Sequence, residues 1–119
     1  MAKSLLLISR QAPWSGPAAR EALDIALAGG AFDLPLAMLF LDDGVWQLLP
    51  AQQPAQLQQK DLSANLQALP MFGVEALFAC NRSLLERGLS SHSLNLPVER
   101  LDAQDLSALI KRYDLVMTL

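Results

Sequence analysis

Short apolar runs alternate along this chain with stretches whose apolar residues recur at helical spacing. Lys3 to Ser9 is apolar, brief and stopped by polar residues, so it reads as a buried strand. After the loop Arg10-Gln11-Ala12-Pro13-Trp14-Ser15-Gly16-Pro17, residues Ala19, Leu23, Ala26 and Leu27 form one stripe of a helix over 18–28. Gly29-Gly30 is expected to end that helix. Leu34 to Leu41 is apolar on both faces, as a central parallel strand is, and runs into Asp42-Asp43-Gly44 and a brief helical turn through Leu49. Pro50 to Gln56 reads as a polar surface loop. Leu62, Leu66 and Leu69 then predict a helix that Pro70 and Gly73 terminate. A third strand from Val74 closes at Cys80, and Asn81 to Gly88 reads as a short helix. Leu94 to Leu101 is weakly extended and carries Pro97, which places it towards a sheet edge. Asp102 is positioned to cap a last helix with Leu106, Leu109 and Ile110 inward, and Leu115-Val116-Met117-Thr118 supplies a final strand.

Strict strand–helix alternation predicts an α/β fold: a single three-layer domain over residues 1–119, with a mostly parallel sheet of about five strands and helices on both faces. Composition adds one thing to this picture. With 52% hydrophobic residues and only 18% charged, the chain is greasy for its 119 residues, and a small domain cannot hide all of its apolar surface. An oligomer is the expectation. The apolar runs are far shorter than the ~18–20 residues of a membrane-spanning helix, and the amino terminus breaks at Ser9-Arg10-Gln11 without a small-residue cleavage site. Net charge −3 argues against direct grip on a phosphate backbone, and a lone cysteine allows no internal disulfide, which suits a reducing cytoplasm.

Cys80 is the first chemical candidate. It sits between a strand end and a helix start, the edge of α/β sheets where ligands collect and where unpaired N–H groups favour a thiolate. Arg82 and Arg87 add positive charge if they face the sulfur. The competing reading is a buried small hydrophobe, since free cysteine is among the most buried residue types. The one histidine, His92, lies in a Ser-rich loop, so no base adjoins the thiol in sequence. Thiol exchange or persulfide carriage then fits better than acyl transfer. Asp42 and Asp43 at the end of the second strand could hold Mg²⁺, although Asp43 as a cap for the following turn is the commoner use. A phosphoacceptor role would need a lysine, and Lys60 and Lys111 are poorly placed. The Trp14-Ser15-Gly16 loop lacks both glycine-rich nucleotide patterns. Trp14 and Trp46 both fall near the carboxyl edge and suit a subunit contact as well as a ligand platform. One His and one Cys cannot build a tetrahedral zinc site.

Several segments are more particular. Pro13-Trp14-Ser15-Gly16-Pro17-Ala18-Ala19-Arg20-Glu21-Ala22-Leu23-Asp24 resembles the Pro-rich loop and Arg-Glu-x-Leu-Asp helix of the TusC/DsrF family. Phe40 to Pro50 is similar to that family's Asp-Gly-Val-x-Gln-Leu-Leu-Pro signature, most specifically over Gly44 to Pro50. Cys80 to Leu89 and Tyr113-Asp114-Leu115-Val116 fit in order and spacing, so the resemblance covers essentially the whole chain. Trp14-Ser15 departs from it, standing where related chains often have His-Gly.

The resemblance implies a DsrE/F-like fold and a supporting subunit of a sulfur-relay complex of the TusBCD type. Such a complex joins TusB-like and TusD-like sisters in a heterohexamer, a dimer of heterotrimers. It takes persulfide sulfur from a TusA-like donor and passes it towards a TusE-like acceptor, for 2-thiolation of the tRNA wobble uridine. No cofactor or metal is implied. In that family the sulfur-carrying cysteine belongs to the TusD-like subunit, at the junction that Cys80 matches. Two alternatives stay open: Cys80 itself carries a persulfide, or the chain is a DsrF-like subunit in sulfur oxidation. A receiver-like regulator using Asp42 and Asp43 is a third reading. The helix faces and the segment Trp46 to Pro50 are the expected contacts with sister subunits.

Overall fold

The computed structural model describes residues 3–49, 65–89, 94 and 96–119. Its elements are β1 (Leu5–Ser9), α1 (Ala18–Ala31), β2 (Leu36–Phe40), β3 (Ala76–Cys80), α2 (Asn81–Glu86), β4 (Glu99–Leu101), α3 (Ala103–Arg112) and β5 (Leu115–Thr118). Two 3-10 turns intervene, Asp42–Leu48 and Leu69–Phe72. The expected helix over 62–69 and the polar loop 50–56 fall wholly or largely outside the described residues, as do Lys60 and His92; residues 65–67 are helical.

All strand pairs are parallel, in the order β4-β3-β2-β1-β5. The α/β reading is therefore borne out, with a sheet parallel throughout. The first four strands add to the sheet one after another in one direction. α3 then carries the chain from one edge to the other, where β5 joins β1. Alternation splits β1, β2 and β3 between two cores. Leu7, Leu36, Met38, Phe40 and Leu77 pack under α1, the two 3-10 turns and α2, the larger cluster. Leu6, Ile8, Ala37, Leu39 and Leu101 pack under α3 through Leu109. At ~1.5–3 kcal/mol for each buried aliphatic side chain, the central strands anchor the fold.

Three details differ from expectation. α1 does not stop at Gly29-Gly30 but continues to Ala31, because Gly30 lies against the turn Leu69–Phe72: a Cβ there would come within 2.5 Å of the Phe72 carbonyl oxygen. Gly30 marks a close approach rather than a helix end. Ile110 is exposed, while Leu109 is buried and Leu106 only partly so, which narrows the inner face of α3. Asp102 occupies the N-cap position of α3 without capping; its Oδ1 accepts a hydrogen bond from Asn81 Nδ2 at 3.3 Å and ties α3 to α2.

Candidate functional site

Cys80, Asp42, Asp43, Arg87, Trp14 and Trp46 all lie at the carboxyl edge of the sheet, whereas His92 and Lys60 fall outside the described residues and Lys111 lies in the last turn of α3. Cys80 ends β3 in extended geometry and serves as the N-cap of α2, its Sγ accepting the Ser83 N–H at 3.4 Å. It is 5% exposed. Ser83 in turn binds the neighbouring strand's loop, since its Oγ accepts the Asp42 N–H at 2.9 Å. That bond holds Asp42 at φ 52°, a left-handed conformation that Asp tolerates better than most residues. Cys80, Ser83 and Asp42 thus form a short chain of contacts joining β3, α2 and the turn after β2.

The two acids neither cap a helix nor share a partner. Asp42 takes Arg10 through Nε at 2.9 Å and Nη2 at 2.7 Å. Asp43 takes Arg87 through Nε at 3.0 Å and Nη2 at 2.9 Å, while Arg87 Nη1 donates to the Ser83 carbonyl at 3.2 Å. The 3-10 turn begins at Asp42 itself with Leu41 before it, so the expected Asp43 cap is replaced by an ion pair. Partly exposed pairs of this kind contribute about 0–1 kcal/mol and chiefly fix orientation. Arg87 is therefore committed to Asp43 and the α2 backbone, and Arg82 is exposed and pairs with Glu86 at 3.7 Å. Among the described residues no cluster of three or more His, Cys, Asp or Glu side chains could hold a metal ion.

An open cleft of about 420 Å³ runs along this edge, lined by Arg10, Gln11, Asp42, Asp43, Thr118 and Leu119. Cys80 is not on its wall. Trp14 and Trp46 meet one another, the ring centroids 5.8 Å apart and inclined at 52°, with Trp14 largely exposed. Of the segment expected to meet sister subunits, Leu48 is fully buried in the chain's own core, Trp46 and Leu49 are partly buried against it, and Pro50 lies outside the described residues.

Sequence patterns did not reveal three residues that hold this edge together: Ser9, Gln47 and Ser83, the buried polar side chains among the described residues. Gln47 Nε2 donates to Ser9 Oγ at 2.7 Å and to the Gln11 carbonyl at 2.9 Å, clamping the β1 loop onto the turn. Its Oε1 is buried with no partner among the described residues. The available signal was a polar residue inside an apolar run, as in Val45-Trp46-Gln47-Leu48-Leu49. Ser83→Ala is expected to lower stability by about 1–2 kcal/mol, because it strands the Asp42 N–H; thermal unfolding followed by circular dichroism checks it.

A family model described as the DsrE/DsrF-like family matches residues 3–119. The chain is 70% identical over 119 residues, the full length of both, to the "Protein TusC homolog" of Pseudomonas aeruginosa. It is 34% identical over 106 residues to the "Protein TusC homolog" of Vibrio vulnificus strain CMCP6, covering 89% of this chain and 90% of that one. In fold it is similar to the ychN protein from E. coli, with TM-score 0.81 and 23% identity over the whole of both chains. No helix among the described residues is long and apolar enough to cross a membrane.

Proposed function

The chain belongs to the DsrE/DsrF-like family, and from that premise we propose that it is a TusC-type subunit of a sulfur-relay complex. The observation that carries this reading is the 70% identity along the full length of a relative so named, which leaves no segment of the fold outside the likeness. In this reading the chain assembles in the cytoplasm with a TusB-like and a TusD-like sister into a dimer of heterotrimers. The assembly accepts persulfide sulfur from a TusA-like protein and hands it to a TusE-like one, for 2-thiolation of the tRNA wobble uridine.

Within the complex this chain supports rather than carries. Sulfur transfer requires a thiolate that reaches a donor persulfide. The Cys80 sulfur is buried, lies off the wall of the open cleft, and already accepts the Ser83 N–H as a helix cap. A serine hydroxyl caps a helix at least as well as a thiol. Cys80→Ser is therefore expected to leave the unfolding temperature within the equivalent of about 1 kcal/mol and sulfur flow through the complex unchanged.

Co-expression with both sisters, followed by purification and native mass spectrometry, tests the assembly; a chain that ignores both sisters overturns it. Mass spectrometry after incubation with a persulfide donor tests the supporting role. A gain of one sulfur atom that disappears in Cys80→Ser makes Cys80 the carrier instead, the reading its place at the end of β3 favours.

A further inference from the structure

Two loops at the amino edge of the sheet, the end remote from Cys80, leave apolar side chains in solvent. The first ends α1 and leads into β2, with Phe32 79% and Leu34 48% exposed. The second is the 3-10 turn before β3, with Met71 86% and Phe72 45% exposed. None of the four belongs to either core cluster. The close approach of Gly30 to the Phe72 carbonyl brings the two loops together. An open cleft of about 430 Å³ lies between them, lined by Gly30, Ala31, Asp33, Met71, Phe72 and Gly73. Exposed phenylalanine and methionine gathered in one place have the composition of an interface core.

The charge on this patch is of one sign and unanswered. Asp33 is the one charged residue among the described residues lining the cleft. It is exposed, and among the described residues its carboxylate has no ion-pair or hydrogen-bond partner. It stands just past the carboxyl end of α1, where backbone carbonyls add partial negative charge and a Lys or Arg is favoured; the last turn of α1 has none. Glu75, just before β3, is exposed too and adds the same sign. Lys3 borders Leu34 on the β1 side, by the register of β1 with β2, but leaves Asp33 unpaired. The complement this surface lacks is a cation from outside. The exposed rings of Phe32 and Phe72 suit a guanidinium or ammonium, and Met71 suits its apolar stem.

We propose that this amino-edge patch docks a sister subunit through a Lys or Arg set among apolar side chains, the cation entering the cleft beside Asp33. The proposal rests on the sulfur-relay reading and names the surface by which the chain enters the complex. Charge selects the occupant. An anionic membrane surface is repelled by Asp33, Glu75 and the helix end. A second copy meeting this patch with its own would oppose two acidic helix ends and bring no cation from the cleft. Position selects a permanent subunit over a passing donor or acceptor. The five-residue strands β2 and β3 set the patch roughly 17 Å from the carboxyl edge, which a subunit docked here leaves open.

Two substitutions test the contact without touching the core. Asp33→Asn removes the charge and keeps a residue type that tolerates the left-handed φ of 58°. Met71→Ser removes the most exposed apolar side chain of the patch. Each is expected to leave the unfolding temperature of the isolated chain unchanged. Each is expected to raise the dissociation constant of this chain from the complex co-expressed with both sisters by at least about tenfold, read by sedimentation velocity across a dilution series. A wild-type complex that either substitution leaves at its original strength overturns this proposal alone. Loss of self-association by the isolated variants, with the sister complex unchanged, would assign the patch to a second copy and overturn it as well. A wild-type chain that binds neither sister overturns the sulfur-relay reading, and this proposal with it.

Discussion

Gly44→Ala is expected to cost about 3 kcal/mol and lower the unfolding temperature by roughly 10 °C, more than any polar substitution at the carboxyl edge. A Cβ on Gly44 would overlap the Ser9 carbonyl oxygen and press on the Arg10 Cα. Neither can retreat cheaply. The Ser9 carbonyl accepts the Leu41 N–H at 3.1 Å, and Arg10 N–H donates to the Leu119 carbonyl at 3.0 Å, so both belong to the strand framework. The turn Asp42–Leu48 would have to lift off β1 instead. It would take with it the Gln47 clamp on Ser9 and Gln11, and the burial of Val45 and Leu48. Thermal unfolding with an intact far-ultraviolet spectrum at low temperature is the measurement. A loss below ~1 kcal/mol would show that the turn is not pinned to the strand at this point.

This glycine also shows what the sequence could and could not reveal. Its place in the Gly44 to Pro50 stretch was legible as a resemblance, but its physical reason was not: the atom it avoids belongs to a residue 35 positions earlier. The same division runs through the molecule. The alternation of strands and helices, the parallel sheet and the edge position of β4 followed from apolar periodicity and Pro97, which are local signals. Cys80 fell where the strand-to-helix reading put it, at the end of β3 and the start of α2. What stayed hidden was set by partners distant in sequence. Asp43 and Asp102 both stand at turn starts, where capping is the commonest use, yet Arg87 and Asn81 claim their carboxylates. Ser83 looked like an ordinary helix residue until the Asp42 N–H came within reach of its hydroxyl.

Gly29 and Gly30 turn that lesson into a paired experiment. If the two glycines simply ended α1, alanine at either would have a small effect of one sign. The packing says otherwise. At Gly29 an added Cβ meets only side-chain carbons of Leu36 and Leu34, the nearest at 3.5 Å, an ordinary van der Waals contact. The position is helical, so Gly29→Ala is expected to stabilise by about 0.5–1 kcal/mol through the reduced freedom of the unfolded chain. At Gly30 the same Cβ would lie 2.5 Å from the Phe72 carbonyl oxygen and 2.7 Å from Val74 Cγ2. The carbonyl belongs to the 3-10 turn Leu69–Phe72, whose end is fixed by Gly73 at φ 93° and by the Val74 N–H bonded to the Leu69 carbonyl at 3.0 Å. Moving the turn would shift Leu69 and Val74, both fully buried under α1. Gly30→Ala is accordingly expected to destabilise by about 3 kcal/mol, or roughly 10 °C, as overpacking against a fixed backbone does. One methyl group at adjacent positions should thus move the unfolding temperature in opposite directions. Two shifts of the same sign would mean that helix propensity, and not the approach of α1 to this turn, decides why glycine stands at both.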